Sequence, residues 1–256
     1  MRERKIQMID RLVAILDCFN LDKSALGVRE AARQTGLSSS TVGRIMSYLK
    51  EKGILNQDPD TQLYMMGAKV LAWAGIYTIT SDVRSIALPV MVRLQEMTRE
   101  TISLYVLEGN ERVCVERFES PETVRIVARI GRRIPLYAGS AGKVFLAFLP
   151  VKRSNEILET VELEAMTART ITDVGVLRQD LARIRKQGYA TSNGEWLIDA
   201  AGTAAPIFDL RGNVVAAISI SGPAQRFNKA KMKEMGLLLI KETRKISREL
   251  GYYASK

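Results

Sequence analysis

The stretch Val28-Arg-Glu-Ala-Ala-Arg-Gln-Thr-Gly-Leu-Ser-Ser-Ser-Thr-Val-Gly-Arg-Ile-Met-Ser-Tyr-Leu-Lys50 decides how the N-terminal part folds. Val28 to Thr35 reads as a short helix, with Ala31 and Ala32 small enough for close packing. Gly36 ends it, at a position suited to a left-handed backbone. Ser38 is a good N-cap for a second helix over 39–52, in which Val42, Ile45, Met46 and Leu49 share one face. Two helices joined by so tight a turn have the layout of a helix-turn-helix.

Outward from this unit the pattern extends both ways. Ile9, Leu12, Val13, Leu16 and Phe19 predict an amphipathic helix over 6–20. After Gly53, the segments 54–57 and 63–66 are extended and joined by the turn Asp58-Pro59-Asp60. Helix, helix, turn, helix and hairpin is the order of a winged helix-turn-helix. Such a unit sets the N-terminal end of its second helix into the major groove of DNA. The side chains presented there are Ser38, Ser39, Ser40, Thr41, Gly43, Arg44, Ser47 and Tyr48. Arg44 is the one able to contact guanine bidentately, while Arg29 and Arg33 on the preceding helix would reach phosphates.

The C-terminal part has a different texture. A helical stretch over 68–80 (Val70, Leu71, Ala74, Tyr77) predicts a linker helix. Leu71, Trp73, Ala74, Ile76 and Tyr77 supply more apolar surface than one contact stripe needs, so a partner subunit is expected against it. A helix over 82–98 follows, with Pro89 expected to bend it or move its start. Segments 102–107, 112–117 and 124–129 are strand-like. Helices are expected after Gly139 and over 151–160 and 176–187, strands near 203–208 and 214–220, and a closing helix over 228–250. Strands bracketing helices predict an α+β domain with a mainly antiparallel sheet. The expected division is 1–67, 68–81 and 82–256.

Composition narrows the function. The 256 residues hold 38 Lys and Arg against 28 Asp and Glu, and no histidine. Without histidine there is no Ser-His-Asp triad and no His metal ligand. Cys18 and Cys114 can form neither a Cys₄ zinc site nor a disulfide framework, and they suit a reducing cytosol. No secretory signal or membrane span is legible, so the protein is expected in the cytoplasm, without membrane, metal or cofactor. The net charge of +10 fits a nucleic-acid partner, but it divides as +3 over 1–80 and +7 over 81–256, so charge does not mark one end. The basic closing helix (Lys229, Lys231, Lys233, Lys241, Arg244, Lys245) reads as a solvated face.

The chain resembles the IclR-type bacterial transcriptional regulators over nearly its full length. The resemblance rests on Ala31 to Ile45, on Gly131-Arg-Arg-Ile-Pro-Leu-Tyr-Ala-Gly-Ser-Ala-Gly-Lys-Val-Phe-Leu-Ala147, and on Ala204-Ala-Pro-Ile-Phe-Asp209 followed by Val214-Val-Ala-Ala-Ile-Ser-Ile-Ser-Gly-Pro223. It implies a winged helix-turn-helix, a linker helix and a GAF/profilin-like effector domain. It also implies dimers or dimers of dimers on pseudo-palindromic operators, and a small effector, commonly a carboxylic acid, that modulates DNA binding.

The residues themselves point to the same second site. Ala138 to Lys143 joins an extended segment to a helix start, where free N–H groups and the helix dipole favour an anion. Ser140 is expected to cap that helix. Ser219 and Ser221 lie two apart on a strand and face one way. The resemblance places Ser140, Ala141, Ser192, Gly202, Ser219 and Ser221 around the effector pocket, with Ile126 and Ile134 as apolar lining. Ser192 stands where relatives carry an acidic residue, and Gly202 where cysteine is common. The volume freed at Gly202 predicts an effector larger than, or shaped differently from, a two- or three-carbon acid. Trp196 could stack on an aromatic ligand, although a packing role suffices for it.

Other readings stay open at this stage. Gly142-Lys143 fails as a Walker A loop, because Tyr137 and Val144 stand at required positions. Ser140-Ala-Gly-Lys143 matches the Ser-x-x-Lys pattern of acylating enzymes, but no Lys-Thr-Gly partner exists. A hydrolase on the α+β domain, and a regulator controlled by a protein partner, are the two alternatives.

Overall fold

A computed structural model describes residues 7–20, 23–80, 82–126 and 129–253, apart from the side chains of residues 75, 77–80 and 82. Two compact units divide at Thr80 and Ser81.

The first unit contains α1 (Gln7–Asp17), β1 (Ala25–Leu26), α2 (Val28–Thr35), α3 (Ser39–Glu51), β2 (Leu55–Gln57), β3 (Tyr64–Met66) and α4 (Ala68–Thr80). The strands make an antiparallel sheet ordered β1-β3-β2, so the expected hairpin gains a third strand that sequence did not reveal. Ile15, Leu26, Ala31, Val42, Met46, Leu49 and Leu55 form its core. On α1 the buried face differs from the expected one. Ile15, Cys18 and Phe19 are buried and Leu12 and Leu16 partly so, while Ile9 and Val13 are exposed. Helical spacing offered two overlapping apolar stripes, and packing on α2 and α3 selects one of them.

Gly36 has φ +69°, the left-handed conformation that lets α2 end and α3 begin three residues later. The Ser38 hydroxyl accepts a hydrogen bond from the Thr41 amide at 3.3 Å, as an N-cap should. At the wing, the Asp58 carboxylate accepts from the amides of Asp60 and Thr61 at 3.0 and 2.7 Å. The Thr61 amide above all holds that carboxyl below the usual aspartate range.

The second unit runs α5 (Asp82–Thr98), β4 (Thr101–Glu108), β5 (Glu111–Phe118), β6 (Arg133–Pro135), α6 (Ser140–Phe148), α7 (Val151–Thr160), α8 (Val174–Gln187), β7 (Ala190–Asn193), β8 (Ala200–Phe208), β9 (Val214–Pro223) and α9 (Lys229–Glu249). The six strands form one antiparallel sheet ordered β6-β5-β4-β9-β8-β7. Period-two alternation sends Ile102 and Leu104 to one face, against Met91 and Leu94 of α5 and Leu239 and Ile246 of α9. Tyr105, Cys114, Ala204 and Ala217 face the other way, toward Val144 and Phe145 of α6 and Leu177 and Leu181 of α8. The result is a helix–sheet–helix sandwich, α+β as expected.

Two local expectations need correction. Pro89 lies on the exposed side of α5, which runs unbroken from Asp82 to Thr98, so it does not move the helix start. The strand expected at 124–129 is not seen among the described residues: 124–126 and 129 are irregular, and Val127 and Ala128 lie outside the described residues. Side chains hold that segment instead. Thr101 Oγ1 donates to Ile126 O at 2.8 Å, and Arg226 Nη1 donates to Val124 O at 2.9 Å. The edge strand beside β5 is β6, which pairs Ile134 with Arg112.

Candidate functional site

On the first unit, α3 presents its polar face to solvent. Ser39, Ser40, Arg44, Ser47 and Tyr48 are exposed, as is Arg29 on α2. Two expected contacts are committed elsewhere. The Ser38 hydroxyl is held by its capping role and by Ser40 and Thr41. Arg33 is paired to Glu30 by a two-nitrogen contact at 2.8–3.1 Å, and Lys23 shares the same carboxylate. Hydrogen bonds from Gln34, Arg33 and Lys23 lower the Glu30 carboxyl to about 2. Gly43 faces inward: a Cβ there would stand 3.6 Å from Val28 Cγ1.

On the second unit, sheet register builds a pocket. Ser192, Gly202 and Ser221 are neighbours in one row across β7, β8 and β9, and Ser219 stands opposite Ser103 of β4. The N-terminus of α6 closes one side. All eight residues expected there (Ile126, Ile134, Ser140, Ala141, Ser192, Gly202, Ser219 and Ser221) line a single cavity of about 80 Å³. A water needs roughly 10–15 Å³ by this measure, so the space suits about five to eight non-hydrogen atoms.

Three features differ from the sequence reading. First, Ser140 does not cap α6. It is the first helical residue, and Gly139 at φ +84° is the cap. The Gly139 amide donates to Glu195 Oε2 at 3.1 Å, so a carboxylate from a distant loop supplies the capping acceptor. Second, Gly202 does not release volume for a ligand. A Cβ there would lie 2.8 Å from Ile220 O and 3.1 Å from Ser221 Cβ, so glycine is required by strand packing. Third, Trp196 lines the cavity with Arg132 stacked 5.2 Å over its ring.

Sequence reasoning missed Tyr105 and Arg112. On β5 the two valines, Val113 and Val115, suggest the inward face, yet Arg112 and Cys114 are the buried residues. Arg112 Nη1 donates to Pro135 O at 2.6 Å and Ala138 O at 2.7 Å, fixing the turn before α6. Its Nε has no partner, and among the described residues no carboxylate pairs with it. Burial pulls its guanidinium down to about 10, against the opposing charges of Tyr105, Glu195 and Cys114, so it is a cation at neutral pH. Gly142 makes room for it, since a Cβ there would stand 2.4 Å from Arg112 Nη1. Burial also raises Cys114 to about 11, which leaves an unreactive thiol.

Behind the cavity lies a buried charge cluster that sequence could not assemble. Lys143 Nζ donates to Glu195 Oε1 and to Asp180 Oδ2 at 2.6 and 2.8 Å. The Lys143 nitrogen is thus directed at two carboxylates and makes no hydrogen bond to Ser140 among the described residues, unlike the base of a Ser-x-x-Lys acylation. Among the described residues no group of Cys, Asp and Glu could hold a metal, and no helix is long and apolar enough to cross a membrane.

Comparison with known proteins agrees with the two-unit organisation. Residues 8–59 match the IclR helix-turn-helix domain, and residues 76–248 match the bacterial transcriptional regulator IclR C-terminal domain. The chain is 33% identical over 250 residues to the HTH-type transcriptional regulator KipR of Bacillus subtilis, covering 98% of this chain and 99% of that regulator. It is similar to the crystal structure of Thermotoga maritima IclR, with a TM-score of 0.76, 34% identity, and 96% and 100% of the two chains covered. An IclR homologue from Microbacterium hydrocarbonoxydans, solved in complex with 4-hydroxybenzoate, has a TM-score of 0.80 at 31% identity, covering 94% and 99% of the chains. With a helix-turn-helix unit, an α+β unit holding a pocket, and relatives matched end to end that are named as transcriptional regulators, the chain is a transcriptional regulator of the IclR family.

Proposed function

We propose that a small carboxylate enters the cavity at the start of α6 and changes how this regulator binds its operator. The observation that carries this reading is Arg112: a buried cation on the cavity wall, unpaired by any carboxylate among the described residues and with an orphaned Nε. Burying an unpaired charge is costly, and an entering anion offsets that cost. The amides of Ser140 and Ala141, at the positive end of a helix, add donors on the same side. The hydroxyls of Ser192, Ser219 and Ser221 supply polar contacts from the sheet. The solved relative in complex with 4-hydroxybenzoate carries a monocarboxylate, which fits this chemistry. The cavity as it stands favours an acid of about five to eight non-hydrogen atoms.

The working unit in this reading is a homodimer, or a dimer of dimers, on a pseudo-palindromic operator. Leu71, Trp73 and Ile76 of α4, and Met8, Ile9 and Val13 of α1, are exposed apolar side chains that a second subunit would cover. Arg44 and the α3 hydroxyls read base edges, Arg29 contacts phosphate, and residues 68–81 link the DNA-binding part (1–67) to the effector part (82–256). The protein acts in the cytoplasm, where its operator is. To shift operator binding, the effector must bind the two arrangements of the subunits with different affinity.

The test is a thermal-shift screen of aliphatic and aromatic monocarboxylates on the wild type and on Ser219→Ala, Ser221→Ala and Arg112→Gln. A ligand at 100 times its Kd adds about 2.7 kcal/mol, a shift of roughly 5–10 °C for a domain of this size. A shift in the wild type that the variants lose, followed by altered operator affinity, is the expected result. A ligand whose shift survives all three substitutions binds elsewhere, and overturns the assignment.

A further inference from the structure

A second and larger cleft opens at the far end of the same sheet. Its volume is about 750 Å³, within the range of small-molecule sites. It lies where the ends of β8, α6, α8 and α9 come together. Gly202 of the effector pocket and Phe208 of this cleft are six residues apart on β8, about 20 Å along an extended strand.

The lining combines two chemistries. Phe148, Phe208 and Tyr252 form a connected aromatic wall, with ring centroids 5.5 and 5.1 Å apart, and the exposed Tyr253 ring stands beside them. The charged lining residues are Arg185, Lys186, Arg244 and Arg248, with no carboxylate among the lining side chains. Cations at helix C-termini often serve only to satisfy the last carbonyls. That role accounts for Arg185, whose Nε donates to Ala147 O at the end of α6. It does not account for Lys186, Arg244 and Arg248, whose side chains have no hydrogen bond or ion pair among the described residues. Arg244 and Arg248 are one helical turn apart on α9, so both project to the same side. The closing helix that reads as a solvated basic face thus turns two of its arginines onto an aromatic cleft.

We propose that this cleft is a second ligand site, for a small molecule that joins a planar aromatic ring to two or more negative charges, as a nucleoside polyphosphate does. The ring packs on the tyrosine and phenylalanine faces. The anionic groups meet Lys186, Arg244 and Arg248, arginine being suited to fork-like contacts with phosphate oxygens.

The probe is adenosine triphosphate, titrated calorimetrically into the full chain at about 0.15 M salt, a strength that screens loose surface attraction. Adenosine and inorganic tripolyphosphate are titrated as half-ligands. Saturable binding of the triphosphate is expected, with each half-ligand at least about tenfold weaker. Arg244→Gln combined with Arg248→Gln should weaken binding at least about tenfold with circular dichroism unchanged, because both side chains are exposed. Ser219→Ala and Ser221→Ala should leave it unchanged, which separates this site from the effector pocket. The proposal is overturned by absent saturation, by wild-type binding in the double arginine variant, or by tripolyphosphate binding as tightly as the triphosphate. Displacement by a short non-operator duplex would make the face a contact for nucleic-acid phosphates, and equally overturns it.

Discussion

Lys143 Nζ and Glu195 Oε1 lie 2.6 Å apart with the lysine side chain 1% exposed, and they join the first turn of α6 to a loop 52 residues later in the chain. The other oxygen of Glu195 accepts from the Gly139 amide. One carboxylate therefore caps the helix that borders the proposed effector pocket and anchors the loop carrying Trp196 and Leu197, which line the same cavity. Asp180 of α8 shares the ammonium at 2.8 Å.

Removing that ammonium leaves two largely buried carboxylates facing each other. Breaking a buried pair from one side typically costs about 3–5 kcal/mol. Lys143→Met should lower stability by that order in urea unfolding of the second unit's transition. A loss below about 1 kcal/mol would show that the carboxylates relax to solvent and that the cluster is not structural.

The same cluster sets an acid limit. Burial pushes the Asp180 carboxyl up, but Lys143 and Arg183 outweigh it, so its net shift is downward. A group depressed in the folded state contributes stability above its unfolded value of about 3.9, and that contribution is lost as pH falls through the lower folded value. Wild-type stability should therefore drop below about pH 4 more steeply than that of Asp180→Asn. Parallel pH profiles for the two proteins would refute the assignment.

Gly142 and Gly43 offer a matched pair of tests. A Cβ at Gly142 would stand 2.3 Å from Leu136 O and 2.4 Å from Arg112 Nη1, whereas one at Gly43 would meet only Val28 Cγ1 at 3.6 Å. Gly142→Ala should destabilise by about 1–3 kcal/mol through overpacking and should displace Arg112. Gly43→Ala should be neutral, or stabilising by up to about 1 kcal/mol through helix propensity. Calorimetric melting of both variants checks the order, and a Gly142→Ala protein as stable as Gly43→Ala would contradict it.

Arg44 is exposed on α3 and forms no ion pair among the described residues, whereas Arg33 is held by Glu30. Arg44→Ala should cost about 1–3 kcal/mol of specific operator binding if it reads a guanine. Arg33→Ala should cost less, since it must leave Glu30 to reach a phosphate. Electrophoretic mobility shifts with operator and scrambled duplexes decide the matter: equal losses of Arg44→Ala on both would make Arg44 a phosphate contact.

Gly202→Cys has a different expected outcome from the one its sequence position suggests. The new Cβ meets Ile220 O at 2.8 Å, so melting should fall with or without ligand. An unchanged melting temperature with weakened carboxylate binding would restore the reading in which Gly202 sets effector volume.

What the sequence determined by itself is local and periodic. Gly36 and Ser38 state a turn and a cap through backbone conformation and one hydroxyl, which is why α2 and α3 could be read before any packing was known. Ser219 and Ser221 share a face because strand side chains alternate, whatever the neighbouring strands are. Selecting among equally good local options needed the tertiary structure. Packing chose Ile15 over Ile9 and Val13 on α1, and it buried Arg112 and Cys114 of β5 more deeply than Val113 and Val115. Sheet register set Gly202 between Ser192 and Ser221 and denied it a side chain. The capping of α6 by Glu195, and the partners of Lys143, join residues 37 to 56 positions apart. No periodicity encodes such pairings, because they form only when folding encloses charges that must find one another out of water.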